Sequence, residues 1–240
     1  MQKIPSEFVS KVTHDLKTPV GNAMMYAELM SEDINMLMQE HPEISDQLES
    51  LKYYCSNIQL SSSKLINSVQ SWSYAYQIED GVFEQKKSQV NLRELARSVI
   101  ERNDIFIQTK NLEVSLDYES DVQSISVDQE IMNLILDNLL TLFIGMAPNN
   151  EPLRIQVTDE SDGLLFRFFV SGTAFNETLR DAYTSDISIK EQIAPKQGIL
   201  KPGGYALMFV NIALKEMKAG HGIDSEDVDP RSFWFRLPLT

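Results

Sequence analysis

Apolar residues recur at alternating steps of four and three in two long runs near the amino terminus, and no other feature of the chain limits its fold as tightly. The first run carries Leu16, Val20, Ala23, Ala27, Met30, Ile34 and Leu37; the second carries Leu51, Cys55, Ile58, Ser62, Leu65, Val69, Trp72 and Tyr76. Steps of three and four return a side chain to the same side of an α-helix, so each run predicts a helix with one seam. The segment His41-Pro42-Glu43-Ile44-Ser45-Asp46 stops the first helix and offers Ser45 or Asp46 as N-cap of the second, which Asp80-Gly81 closes. The result is a helical hairpin with arms of about 35 residues, each about 50 Å long at 1.5 Å per residue. Two such arms cannot bury both seams against each other alone. A second copy completing a four-helix bundle would cover them, as would packing one hairpin lengthwise on the rest of the chain, and the regularity of the seams favours the homodimer.

From Phe83 onward the periodicity changes to shorter, mixed elements. A helix is predicted from Asn91 to about Thr109 and a strand over Leu112–Leu116. Asp128–Phe143 reads as an apolar helix, and Arg154–Val157 and Leu164–Val170 read as strands joined through Asp162-Gly163, a hairpin-turn signal. Residues 171–204 read as loop, with the Pro/Gly-rich stretch Pro195–Gly204 as a mobile loop inside this lobe. A helix from about Tyr205 to Ala219 is stopped by Gly220-His221-Gly222, and Ser232–Leu239 reads as a closing strand. The fold class is α+β, with a hairpin over residues 1–82 and an α/β lobe over residues 83–240.

Charge and composition narrow the function. The 240 residues carry 21 Lys plus Arg against 35 Asp plus Glu, a net charge of −14, so the attraction to phosphate backbones or anionic lipid that a basic surface provides is missing. Neither nucleic acid nor membrane is expected as a partner. The single cysteine, Cys55, cannot form an internal disulfide or join a thiolate cluster, so no metal site is expected. The longest apolar stretch, Leu139–Ala147, is far short of the roughly 20 residues a spanning helix needs, and Met-Gln-Lys-Ile-Pro-Ser has no signal-peptide core. A cytoplasmic protein is expected.

His14 lies two residues from both Val12 and Leu16, about 200° around the helix from each, and so faces away from the seam toward solvent. A solvent-exposed imidazole is substantially neutral at pH 7, and its ring nitrogen can attack phosphorus. A carboxylate on Asp15 that reached Nδ1–H would fix the tautomer and leave Nε2 as nucleophile. A lone histidine on a helix is otherwise an ordinary solvated residue. The surrounding string Phe8-Val9-Ser10-Lys11-Val12-Thr13-His14-Asp15-Leu16-Lys17-Thr18-Pro19 resembles the phosphoacceptor box of sensor histidine kinases. The resemblance implies that His14 carries a phosphoryl group, Asp15 polarises it, Thr18 helps place a water for dephosphorylating a partner, and Pro19 bends the helix. Lys17 either screens phosphoryl charge or is a plain surface lysine. Further along the same face stand Gly21, Asn22, Met25 and Leu29. The resemblance implies that a response-regulator receiver domain docks on these four; the alternative is that Met25 and Leu29 widen the bundle stripe.

The resemblance extends into the second lobe through Val90-Asn91-Leu92-Arg93-Glu94-Leu95, Lys110-Asn111-Leu112, Asp128-Gln129-Glu130 and Ser232-Phe233-Trp234-Phe235-Arg236-Leu237-Pro238. It implies an α/β sandwich of the histidine-kinase ATPase (GHKL, or Bergerat) type. Family members have an Asn-Leu-Leu-x-Asn-Ala-x-Lys helix whose second Asn holds the magnesium of ATP, whereas this chain reads Asn138-Leu139-Leu140-Thr141-Leu142-Phe143-Ile144-Gly145. Leu142 stands at the metal-ligand position and Gly145 at the basic one, and neither supplies an oxygen or a cation. The adenine-contacting Asp-x-Gly-x-Gly is replaced by Gly172-Thr173-Ala174-Phe175-Asn176, while Gly203-Gly204 reads as a turn opening the last helix. No cofactor is expected, with magnesium supplied by the receiver partner. A phosphoacceptor helix on a degenerate nucleotide lobe is similar to the dimeric histidine phosphotransferases of the ChpT type, except that Lys17-Thr18-Pro19 keeps the kinase form. The activity implied is phosphoryl shuttling through His14 between aspartates of response-regulator or hybrid-kinase receivers. An ATP-dependent kinase and a pseudokinase scaffold without phosphoryl transfer are the alternatives.

Overall fold

A computed structural model describes residues 6–170, 204–224 and 232–239. By its contacts the chain falls into two compact units, Met1–Ser73 and Tyr74–Thr240.

The first unit is the hairpin as far as Ser73. Helix α1 (Ser6–Glu40) runs through Pro19, and a short 3-10 turn at Pro42–Ile44 leads into α2 (Ser45–Glu79). Ser45 Oγ donates to the carbonyl of Met38 at 3.4 Å, tying the start of α2 to the end of α1. The predicted seams split in two. Ala27 and Ile34 of α1 are buried with Leu48 and Cys55 of α2, flanked by Met38 and Ile44. Leu16, Ala23, Met30 and Leu37 of α1, and Leu51, Ile58 and Leu65 of α2, are instead exposed. Each exposed position follows by three residues one on the inward line, made of buried Thr13, Ala27, Ile34, Leu48, Cys55 and Ser62 and half-buried Val20. In antiparallel helices an offset of the same sense brings the offset residues to a common side. The hairpin therefore carries a continuous apolar face along its length.

The second unit pairs strands β1 (Lys87–Val90) and β3 (Ile125–Asp128) in a two-stranded antiparallel sheet, beside a five-stranded sheet ordered β2-β4-β5-β7-β6. The larger sheet contains β2 (Glu113–Glu119), β4 (Pro152–Glu160), β5 (Gly163–Val170), β6 (Gly220–Ile223) and β7 (Ser232–Pro238). Strands β2 and β4 are parallel and the remaining pairs antiparallel. Period-two alternation aligns Ile155 with Phe168 and Phe233, and Val157 with Phe166 and Phe235, so the same face of every central strand is apolar. The Phe166 and Phe235 rings stack at 4.8 Å, and Phe168 meets Phe143 at 5.6 Å. Helices α3 (Leu92–Arg102), α5 (Gln129–Met146) and α6 (Gly204–Glu216) form the facing layer, touching β2, β5 and β6 respectively. A Cβ at Gly163 would meet the Leu237 carbonyl oxygen at 2.4 Å, so only glycine lets β5 start this close to β7.

Several local expectations need correction. The helix predicted over Asn91–Thr109 is two, α3 and α4 (Asp104–Thr109), because Asn103 leaves the helix at φ −95°, ψ 8° and its buried amide donates to Val99 O and Asp137 Oδ1, both at 2.9 Å. The Gly220-His221-Gly222 stop is strand β6, and Lys218, at φ 56°, makes the turn before it. His221 accordingly stands on a strand. It is half-buried, with Nε2 3.0 Å from Asn211 Oδ1 and Nδ1 3.0 Å from Ala219 O, and burial lowers its pKa. The short strands β1 and β3 have no counterpart in the sequence reading. The loop expected over 171–204, including Pro195–Gly204 and Gly172–Asn176, lies outside the described residues apart from Gly204, which opens α6.

Candidate functional site

The first half of α1 sets the position of His14. Thr13 turns into the hairpin, is buried, and donates through Oγ1 to Val9 O at 2.9 Å. Its neighbour is thereby turned outward, and the His14 side chain is 81% exposed. Nδ1 of His14 lies 3.4 Å from Oδ1 of Asp15, itself exposed, while Nε2 has no protein group against it in the described contacts. If Nδ1 carries the proton toward the carboxylate, the Nε2 lone pair faces solvent. Pro19 has no N–H, so the Asp15 carbonyl, one residue past His14, lacks its helical donor.

At about 100° per residue, Thr18, Gly21, Asn22, Met25 and Leu29 fall with His14 inside an arc of about 100°. Thr18, Asn22, Met25 and Leu29 are exposed, Gly21 and Lys17 half-buried. A Cβ at Gly21 would meet no atom within 4 Å, so open space lies beside the helix there. Met36, 56% exposed, extends the same face by two more turns; the sequence reading missed it, though the steps from Met25 and Leu29 point to it. A second omission lies on α2, where Tyr53 and Tyr54 meet edge-on at 6.1 Å and, with Asn57, Ile58, Ser61 and Ser62, line an open groove of about 450 Å³. Their only signal was a pair of tyrosines beside the seam residue Cys55.

In the second unit α5 presents the segment that the sequence aligns with a metal-nucleotide site. Asp128 caps it, its Oδ1 accepting from the N–H groups of Glu130 and Ile131 at 3.1 and 3.2 Å. Leu139, Leu140, Leu142, Phe143 and Ile144 are all buried. Asn138 is also buried and donates through Nδ2 to Leu134 O at 2.8 Å, within its own helix. Gly145 has no side chain, and its carbonyl, with that of Ala147, accepts from Lys110 Nζ at 2.9 and 2.8 Å. These residues do not fit a magnesium–phosphate group: hydrocarbon occupies the ligand position and the nearby lysine is spent on the helix end. Among the described residues no cluster of His, Cys, Asp and Glu is placed to hold a metal, and no helix is long and apolar enough to cross a membrane.

Histidine kinases are among the solved proteins with this architecture. Full-length ShkA in complex with AMPPNP superposes with a TM-score of 0.63 at 17% identity, over 99% of this chain and 46% of that one. The Acinetobacter baumannii histidine kinase AdeS gives 0.55 at 16% identity, over 86% of this chain and 95% of that one. The fold is the histidine-kinase fold. Its two parts are a helical hairpin and a GHKL ATPase-like lobe. ThkA in complex with the response regulator protein TrrA has the same histidine-kinase fold, with a TM-score of 0.52 at 18% identity over 98% of this chain and 64% of that one. In sequence, the chain is 24% identical over 176 residues to the circadian input-output histidine kinase CikA of Synechocystis sp., a match covering 72% of this chain and 23% of CikA. The chain thus spans about a quarter of that relative and less than half of ShkA. No family model matches the chain.

Proposed function

We propose that the protein is a two-component histidine phosphotransferase, in which His14 relays a phosphoryl group between receiver-domain aspartates without binding ATP. The observation that carries this reading is the contrast between an exposed His14–Asp15 pair and a buried Leu142 at the position where a kinase needs a magnesium ligand. In the transfer, Nε2 of His14 attacks the phosphorus of an aspartyl phosphate in line. The P–N bond forms as the P–O bond breaks, and the aspartate leaves as a carboxylate with the bonding electron pair. Positive charge gathers on the imidazole, and the Asp15 carboxylate stabilises the Nδ1–H that bears it. The second receiver's aspartate reverses these steps. In this reading magnesium comes with the receiver, Lys17 screens phosphoryl charge, and Thr18 orients a water for receiver dephosphorylation.

The receiver docks on Gly21, Asn22, Met25 and Leu29, where exposed apolar side chains surround a small residue. The acidic chain does not steer an acidic receiver, so contact relies on this patch. The apolar face of the hairpin pairs with that of a second copy in a four-helix bundle, and the partner receivers stand alone or belong to hybrid kinases. The setting is a cytoplasmic phosphorelay.

ATP-dependent autophosphorylation is the second reading, favoured by the kinase identity of the structural and sequence relatives. One experiment separates the two. Incubated with labelled ATP and magnesium, the protein stays unlabelled; incubated with a phosphorylated receiver, it gains acid-labile phosphate that His14→Gln abolishes. Label from ATP at His14 would establish the kinase, and no label from any phosphorylated receiver would leave a scaffold.

A further inference from the structure

The last turns of α2 group with the second unit. Ala75 and Tyr76 are fully buried, and the Tyr74 hydroxyl donates to the Glu130 carboxylate in the first turn of α5. The Tyr74 ring meets Phe83 edge-on at 5.9 Å and 87°. Burial, and then the hydrogen bond and charge of Glu130, raise the phenol's pKa, so it remains a donor throughout the neutral range. Glu130 is in turn favoured where it stands, because the first turn of a helix attracts negative charge.

Past the helix the chain is anchored again. The Lys86 N–H donates to Asp128 Oδ2 at 2.8 Å, on the carboxylate whose other oxygen caps α5, and Gln85 Nε2 donates to Glu216 O at 3.1 Å. Between the two anchors lies Asp80-Gly81-Val82, which the sequence reads as the close of the second helix. Gly81 does adopt φ 69°, a conformation that favours glycine, and Val82 is exposed. The turn is nevertheless closed by Asp80 N–H to Tyr76 O, Gly81 N–H to Ile78 O and Val82 N–H to Gln77 O, at 3.0, 3.0 and 3.1 Å.

We propose that the Tyr74–Glu130 pair is a latch that makes residues 74–82 one cooperative body with α5, so that bending or unwinding of α2 occurs N-terminal to Tyr74 and not at Gly81. The latch is a conformational device of the fold and does not depend on which phosphotransfer chemistry His14 performs.

Amide hydrogen exchange on the full chain tests it, with Tyr74→Phe, Glu130→Ala and the double variant. Tyr74→Phe keeps the ring against Phe83, so its effect isolates the hydroxyl. In the parent, amides 75–82 exchange in step with those of α5 as denaturant is raised. Either single substitution speeds exchange at 75–82 by about three- to tenfold, the double variant adds little to the larger single effect, and amides 48–62 are unmoved. The proposal is overturned if 75–82 exchange with 48–62 in the parent, if the single variants leave 75–82 unchanged, or if their effects multiply in the double variant. A uniform acceleration of both segments also overturns it, since that marks lost global stability.

Discussion

Gly21 is the position where folding and the proposed docking can be tested apart. A Cβ placed there meets no atom within 4 Å, and glycine inside a helix costs about 1 kcal/mol relative to alanine. Gly21→Ala is therefore expected to raise the unfolding free energy by up to about 1 kcal/mol in urea titration. Gly21→Trp should leave the circular dichroism of the hairpin intact yet slow phosphoryl transfer from a receiver at least about tenfold, the cost of displacing a docked surface by about 1.4 kcal/mol. Equal transfer rates in Gly21→Trp and the parent would remove Gly21 from the docking surface. At this scale the sequence was informative about His14, because steps of two from Val12 and Leu16 alone turn it off the seam. It was uninformative about His221. Nothing in Gly220-His221-Gly222 announces that a neighbouring strand, β7, will pair with these residues and that Asn211 will meet the ring.

Helix α5 carries buried hydrocarbon at the position that the sequence aligns with a family metal ligand. Its cap, Asp128, and its packing against β5 are those of a structural helix, and Leu142 joins the buried set at 8% exposure. Restoring an amide at that position by Leu142→Asn should cost about 1–3 kcal/mol of stability, because a polar group enters a site without a waiting partner. The same variant should still give no heat of binding with Mg-ATP in calorimetry, since Gly145 supplies no cation and Lys110 is engaged by the α5 carbonyls. Micromolar binding by the variant would mean that the rest of a nucleotide site is intact. The boundaries of α5 and of the β4–β5 hairpin were close to legible from apolar run length and from Asp162-Gly163. The division of α3 from α4 was not, because it depends on Asn103 reaching Asp137, 34 residues away in the chain.

Among the described residues, the exposed apolar face of the hairpin carries a large unmet demand for burial. Leu16, Met30, Leu37, Leu51, Ile58 and Leu65 are each more than 40% exposed. Covering such residues contributes about 25 cal/mol per Å² of apolar surface removed from water, a strong drive for two hairpins to associate. Sedimentation equilibrium should give twice the chain mass for the parent and the chain mass for Met30→Glu combined with Ile58→Glu, because two carboxylates per copy would be desolvated in the interface. A monomeric parent would show that this face is covered differently or left in water.

Helical periodicity, cap residues and strand alternation are local properties, and with them the amino-acid sequence by itself determined the hairpin, the outward turn of His14 and the α+β character of the second unit. Which half of each seam faces its own hairpin was decided only in three dimensions. Every seam residue obeys the same spacing, and choosing between buried and exposed members requires the two helices to be set side by side. The anchoring of residues 74–86 on α5, the bonding of His221 and the break at Asn103 were likewise settled by tertiary structure. Each depends on groups far apart in the chain, whose meeting no local pattern encodes.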